Sequence, residues 1–182
     1  LILWGHAEAQ DHSPALEDMA RRLTRRGQQQ AVRMAWWLQR HLPPETRILV
    51  SPARRTQQTA AALARPCKTR VALQPGASAE AVLQLVSWPM ARVPVLVVGH
   101  QPTLGQVAAC VLGMRESDCA IKKGAVWWLR YRVRDGVAQT LIRTVQLPEL
   151  MRRSEATLQM MKSGAYFVTT GLGSRMKDVS RK

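Results

Sequence analysis

Three short segments of the chain hold residue types that can do chemistry together. Gly5-His6-Ala7-Glu8, Ser51-Pro52-Ala53-Arg54-Arg55-Thr56 and Gly99-His100-Gln101-Pro102 supply two histidines and an arginine pair. A neutral imidazole is a nucleophile near pH 7, and the arginine fork grips phosphate oxygens two at a time. A histidine nucleophile surrounded by arginine and a second histidine describes phosphoryl transfer without a metal, the cations stabilising the equatorial oxygens of the group in flight. Arg54 and Arg55 open an expected helix, where cations oppose the helix dipole. An anion bound there, met by backbone N–H groups, would resolve that conflict. Each feature also has an ordinary structural reading: a satisfied histidine at a strand end, or a solvated helix face. The balance tips toward a site because all three segments follow directly after expected strands.

The elements that must position them alternate in period. Leu1–Trp4, Arg47–Val50 and Val93–Val98 are apolar runs that read as buried strands. Ligands of a parallel α/β sheet bind outside the carboxyl ends of its strands, so the three segments converge on one rim. Thr24 is placed to cap a helix over Arg25–His41, with Val32, Ala35, Trp36 and Leu38 near one stripe and Pro43-Pro44 after its end. Pro52 reads as the first residue of a helix reaching about Ala64. Arg70–Leu73 reads as a short strand. Ser78 caps a helix to about Trp88, and Thr103–Leu112 is helical, closed by Gly113. Ala125–Val133 and Val137–Val145 are β-rich runs joined by Arg134-Asp135-Gly136, a hairpin signal. The order predicts an α/β fold, a three-layer α/β/α sandwich whose mainly parallel sheet has an antiparallel edge. Residues 1–147 form that domain. Residues 148–182 carry seven Lys/Arg against three acids and read as a basic C-terminal extension, partly disordered, with a short helix around Glu149–Met161.

Composition narrows the function classes. The 182 residues are 46% apolar, enough for one domain with a real core. A formal charge of +15 argues for an acidic or phosphorylated partner, or at least a field that steers one. Nucleic acid is disfavoured: aromatic content is 5%, mostly Trp, and no recognition helix, RNP-like run or zinc motif is present. Cys67, Cys110 and Cys119 are too scattered for a disulfide framework, which points to a reducing compartment and to buried or inert thiols. No Cys/His spacing suits a metal. No apolar run approaches the roughly 20 residues of a membrane span, and no signal-peptide pattern is evident, so a cytoplasmic location is expected. In the pairs Trp36-Trp37 and Trp127-Trp128, one ring of each is expected to face the core.

The segments Leu-Trp-Gly-His-Ala-Glu-Ala (3–9), Arg-Arg-Leu-Thr-Arg-Arg-Gly (21–27), Leu-Val-Ser-Pro-Ala-Arg-Arg-Thr-Gln-Gln-Thr-Ala (49–60) and Val-Val-Gly-His-Gln-Pro (97–102) resemble the histidine phosphatase superfamily. The short chain, without large cap insertions, is most similar to the SixA-type phosphohistidine phosphatase branch, and the likeness extends to about Leu147. It implies a phosphoglycerate mutase-like fold and a hydrolase that uses no cofactor and no metal. It further implies that His6 takes the phosphoryl group, that Arg55 clamps the phosphate, and that His100 hydrogen-bonds its oxygens. Arg22 is a candidate for the pocket rim, and Glu80 is the nearest acidic candidate for a proton donor; the helix dipole alone would also explain a Glu there. Glu8 could rim the pocket or pair with an arginine. The implied partner is a phosphorylated protein, such as a phosphohistidine-bearing phosphotransfer domain, or a small phosphorylated molecule. One departure stands out. The resembled signature begins Arg-His, whereas here Gly5 precedes His6. A lost transition-state donor costs on the order of 10²–10³ in rate, so the sequence predicts impaired turnover unless Arg21, Arg22 or Arg54 substitutes. The alternative is a catalytically degenerate module that binds phosphate or a phosphoprotein.

Overall fold

The computed structural model describes residues 1–151. Its elements run β1 (Ile2–Gly5), α1 (Arg25–His41), β2 (Arg47–Val50), α2 (Arg54–Ala61), β3 (Lys68–Thr69), α3 (Ala79–Val86), β4 (Val95–Gly99), α4 (Thr103–Leu112), β5 (Val126–Arg134) and β6 (Val137–Gln146). The six strands form one sheet in the order β3-β2-β4-β1-β5-β6. The first four are mutually parallel, and β5 and β6 add an antiparallel edge. The expected three-layer α/β architecture is therefore present. The short helix around Glu149–Met161 and the partly disordered tail fall on positions that, past Met151, lie outside the described residues.

Strand alternation builds both core layers. Ile2, Trp4, Ile48, Val50, Leu96, Val98 and Trp128 pack against α1 and α2. Leu3, Leu49, Val95, Val97 and Leu129 pack against α3 and α4. β1 and β4 are buried along their whole length, which is why they read as continuous apolar runs rather than alternating ones. Trp128 meets the edge of Trp37 at 6.3 Å in the first layer, while Trp127 lies against the second. Trp36, expected on the buried stripe of α1, is half-buried, and its ring is covered by the Arg40 guanidinium 4.5 Å away, one turn on. Trp37 takes the core position because Ala31, Met34, Ala35 and Leu38 define the inward face.

Several boundaries differ from the sequence-based expectation, each for a local reason. α2 begins at Arg54 rather than Pro52, because the first helical carbonyl is that of Ala53, which accepts from Gln57 N–H. The helix ends at Ala61; Ala64, three residues on, has φ 51°, in the left-handed region. The strand expected at Arg70–Leu73 is instead Lys68–Thr69, followed by a 3₁₀ turn over Val71–Leu73. β2 stops at Val50, whose carbonyl accepts from Arg70 N–H. The hairpin turn is as expected: Asp135 (φ 51°) and Gly136 (φ 76°) are both left-handed, as a two-residue turn between right-twisted strands requires. Cys67 and Cys110 are exposed and Cys119 is half-buried, so burial, one of the two expectations for the thiols, does not hold for Cys67 and Cys110. Cys110 lies on the outer side of α4, away from the Leu104–Val107–Ala108 face. No helix among the described residues is long and apolar enough to cross a membrane.

The N-terminus of α1 holds the loop that carries His6. Thr24 Oγ1 accepts from Gly27 N–H and donates to Glu8 Oε1 at 2.7 Å, and Glu8 N–H donates to Gln30 Oε1 at 2.9 Å. Gly27 makes this possible: a Cβ there would fall inside contact distance of the Glu8 carbonyl, which is backbone and cannot swing away. Gly27→Ala should therefore destabilise the fold by about 1–3 kcal/mol, as overpacking does. An open helical site would instead gain about 1 kcal/mol from the same change. Thermal unfolding of the variant distinguishes the two signs.

Candidate active site

The rim is assembled by register. Gly5 lies opposite Gly99 in the parallel β1–β4 ladder. The ladder continues one step past both strands, His6 N–H donating to Gly99 O at 3.0 Å and Ser51 N–H to Val98 O at 3.1 Å. His6, Ser51 and His100 thus leave three adjacent strands side by side. The imidazoles of His6 and His100 lie 5.3 Å apart between ring centroids.

Each ring is oriented by its own partner. His6 Nδ1 is 2.8 Å from the carbonyl of Ala7. A carbonyl only accepts, so the proton sits on Nδ1 and the Nε2 lone pair is open. Ala7 N–H in turn donates to Thr59 Oγ1, whose own hydrogen goes to Arg55 O. His100 is 4% exposed, its Nε2 lies 2.7 Å from Ser51 Oγ, and its Nδ1 is buried without a partner among the described residues.

Arg55 occupies the first turn of α2 at 3% exposure. Nη1 donates to Asp18 O at 2.7 Å and Nη2 to Asp18 Oδ2 at 2.9 Å, while Nε is buried and unpartnered. Asp18 sits in a 3₁₀ turn, Asp18–Ala20, of the long loop between β1 and α1, and its other oxygen accepts from Arg21 Nε at 2.9 Å. Partial burial alone would raise the Asp18 carboxyl, but hydrogen bonds from Arg55 and Arg21 outweigh it and hold the group below the usual carboxylate value.

Burial is the largest influence on both histidines. It lowers His6 to about 4 even though the Ala7 carbonyl favours the protonated ring, with the charges of Arg55, Lys123 and Arg21 pushing the same way as burial. Burial and the Arg55 charge lower His100 to about 3. Both imidazoles are neutral at pH 7.

His6, Arg55 and His100 are thus brought together, and the remaining candidates are not. Arg54 is exposed, because successive helical residues point about 100° apart and Arg55 takes the inward direction. Arg22 is likewise exposed, its neighbour Arg21 turning toward Asp18 instead. Neither Arg22 nor Arg54 is among the charges felt at His6 or His100. Glu80 is exposed in the first turn of α3, where its own backbone N–H and Ser78 hold its carboxyl below the usual value, and its charge too is absent from both histidines. Glu8 pairs with Arg26 at 3.6 Å.

The carboxylate beside the pair, Asp18, went unrecognised in the sequence, although its i,i+3 spacing from Arg21 was a signal. Ser51 and Thr59 lie inside the Ser-Pro-x-x-Arg-x-x-Gln-Thr stretch and act by orienting His100 and the His6 loop. Lys123 had no sequence signal. Among the described residues no cluster of His, Cys, Asp and Glu could hold a metal ion.

Residues 1–78 match the sequence model of the histidine phosphatase superfamily, branch 1. No curated protein sequence matches. Among solved structures the chain is similar to the protein assigned as phosphohistidine phosphatase SixA from Agrobacterium tumefaciens, at 23% identity and a TM-score of 0.68, covering 81% of this chain and 96% of that one. The protein histidine phosphatase SixA complexed with tungstate gives 22% and 0.65 over 83% and 98% of the two chains. A mycobacterial glucosyl-3-phosphoglycerate phosphatase gives 17% and 0.60 over 79% and 96%. At these identities the likeness is one of fold. The matched segment ends at residue 78, while the likeness of fold extends over 81% of the chain.

The depressed histidines give the fold a pH dependence of definite sign. In the unfolded chain both titrate near 6.5, and in the folded one near 4 and 3. Their contribution is complete above about 6.5 and is lost as the pH falls from there toward 4, because only the unfolded chain takes up the protons in that window. Each contributes a slope of up to about 1.4 kcal/mol per pH unit. The urea midpoint should therefore drop between pH 7 and pH 5, and His100→Asn should flatten that drop.

Proposed function

We propose that this chain is a metal-independent phosphatase that removes phosphoryl groups from protein phosphohistidine, through a phosphohistidine intermediate on His6. The observation that carries the reading is the histidine pair: a neutral His6 with Nδ1 tied to Ala7 O and Nε2 open, 5.3 Å from a neutral His100 and within the field of a buried arginine. The orphaned donors support it. Arg55 Nε and His100 Nδ1 are buried polar atoms with no acceptor among the described residues, and such groups are costly unless a ligand satisfies them. In this reading Ser51 Oγ, which accepts from Ala53 N–H, donates its hydrogen to His100 Nε2, and the imidazole proton sits on Nδ1 as a donor.

In this reading His6 Nε2 attacks phosphorus in line as the bond from phosphorus to the leaving nitrogen breaks. Arg55 and His100 hold the equatorial oxygens, and these donors need not reorganise during the reaction. Water then attacks the phosphorus, the bond to Nε2 breaks, and inorganic phosphate leaves. An imidazole leaving group suits the carboxylates present. Asp18 is held ionised by two arginines, and Glu8 is engaged with Thr24 and Arg26, so neither is poised to protonate an alkoxide. A partner bearing phosphohistidine would also be drawn by the net positive charge. The three free thiols suit a reducing compartment such as the cytoplasm.

Gly5 favours a second reading, a module that binds phosphate without turnover. The residue leaves the strand end next to His6 without a side chain. A Cβ there would sit 3.3 Å from Lys122 O, so a side chain can start from residue 5 once that carbonyl gives by a few tenths of an ångström. Turnover of a phosphohistidine protein by this chain, Gly5→Arg and His6→Ala separates the readings. His6→Ala should abolish turnover together with an acid-labile phosphoenzyme trapped by rapid quench. Gly5→Arg should raise turnover, by up to the order of 10². Full turnover in His6→Ala would remove the nucleophile assignment, and oxyanion binding without turnover in the parent chain would establish the binding module.

A further inference from the structure

The charges at the site do not balance a phosphoryl group. Arg55 and Arg21 both act on His6, but they share the carboxylate of Asp18, and with both histidines neutral the cluster carries one net positive charge. A phosphoryl group carries about −1.5 to −2 at neutral pH. The topology brings one more cation. β5 runs antiparallel to β1, with Trp4 opposite Val126, so the segment leading into β5 arrives at the carboxyl end of β1.

That segment is pinned to the histidine strand at three points. Gly124 N–H donates to His6 O at 3.0 Å, Gly5 N–H donates to Ala125 O at 3.0 Å, and Trp4 Nε1 donates to Gly124 O at 3.1 Å. Lys123 therefore precedes the residue bonded to the His6 carbonyl. It is exposed, and among the described residues it makes no ion pair. Gly5 contributes to the opening: a side chain from residue 5 would start toward Ile121 and the Lys122 carbonyl, on this same segment. In the strand row β2-β4-β1-β5, Arg55 follows β2 and Lys123 precedes β5, so the two cations flank the histidine strands from opposite sides.

We propose that Lys123 is a phosphate-binding residue of this site, its ammonium holding the phosphoryl oxygens from the side that Gly5 leaves without a side chain, opposite Arg55. This rests on the phosphatase-site reading and deepens it. The Lys123 charge already reaches the His6 ring, behind burial and Arg55 and ahead of Arg21. A lysine stem of four carbons is long enough to bring the ammonium of an exposed residue to the rim, and two positive charges net then meet the phosphoryl dianion. The neighbouring Lys122 is exposed as well but is not among the charges felt at His6, which makes it the internal control.

Isothermal titration of the whole chain with tungstate at neutral pH tests the assignment. Lys123→Ala should weaken tungstate about tenfold or more, the loss of one hydrogen bond between charged groups. Lys123→Arg should keep most of the affinity, and Lys122→Ala should stay within roughly twofold, as for an exposed charge screened by salt. Arg55→Met is the reference for the site itself. If it weakens tungstate while Lys123→Ala does not, or if Lys122→Ala costs as much as Lys123→Ala, the role of Lys123 is overturned and the phosphatase reading stands. If the parent chain does not bind tungstate, or Arg55→Met binds it unchanged, the phosphate site itself falls and the Lys123 role with it. Melting temperatures within a degree or two of the parent's show that the variants compared are folded.

Discussion

The parallel register between β1 and β4 is the constraint on which the site depends. Gly5 opposite Gly99 sets His6 beside the end of β4, and the bond from His6 N–H to Gly99 O extends the ladder into the functional loop. A slip of one residue would send every side chain of β1 to the other face, trading Trp4 for Leu3 between two differently shaped core layers. The core therefore enforces the register, and the register enforces the distance between two imidazoles far apart in sequence. Burial by the same packing keeps those imidazoles neutral, which is the protonation state a nucleophile requires. Position and chemistry have one cause.

The loop from His6 to Thr24 adds only the small Ala7 and Ala9, and Leu23 at its end, to the core. It is also held by polar contacts from the two helices on its side of the sheet: Thr59 to Ala7, Gln30 to Glu8, Gln58 to Leu23 and Arg55 to Asp18. Most of these join a side chain on a rigid helix to a backbone group of the loop, so they fix the path of the chain rather than one rotamer. Asp18 gives the buried guanidinium of Arg55 a counter-ion while leaving Nε unsatisfied. A buried cation needs such a partner, since an unpaired one costs several kcal/mol. Geometry set by second contacts of this kind lets a site act without rearranging.

Much of this was legible in the chain. Thr24, Ser78 and Gly113 marked helix ends correctly because capping is local chemistry. Asp135-Gly136 marked the hairpin because left-handed backbone is a local demand. His6, His100 and the Arg54-Arg55 pair could be picked out because each follows a strand, and the family resemblance singled out Arg55. The misplaced details were those a neighbour decides: Trp37 rather than Trp36 in the core, a 3₁₀ turn in place of a strand at Val71–Leu73, Arg21 rather than Arg22 facing the site, and exposed Cys67 and Cys110.

By itself, then, the sequence determined the order of elements, the α/β layering and the three strand-end segments that meet at one rim, because periodicity, caps and strand-end position are properties of adjacent residues. Only the tertiary structure decided that Asp18 ties Arg55 to Arg21, that Ser51 and Thr59 orient the two histidine segments, and that Lys123 arrives beside His6. The physical reason is the same in each case. These contacts join residues whose proximity comes from strand order and direction, above all the antiparallel entry of β5 beside β1, and no local pattern encodes which strand will lie next to which.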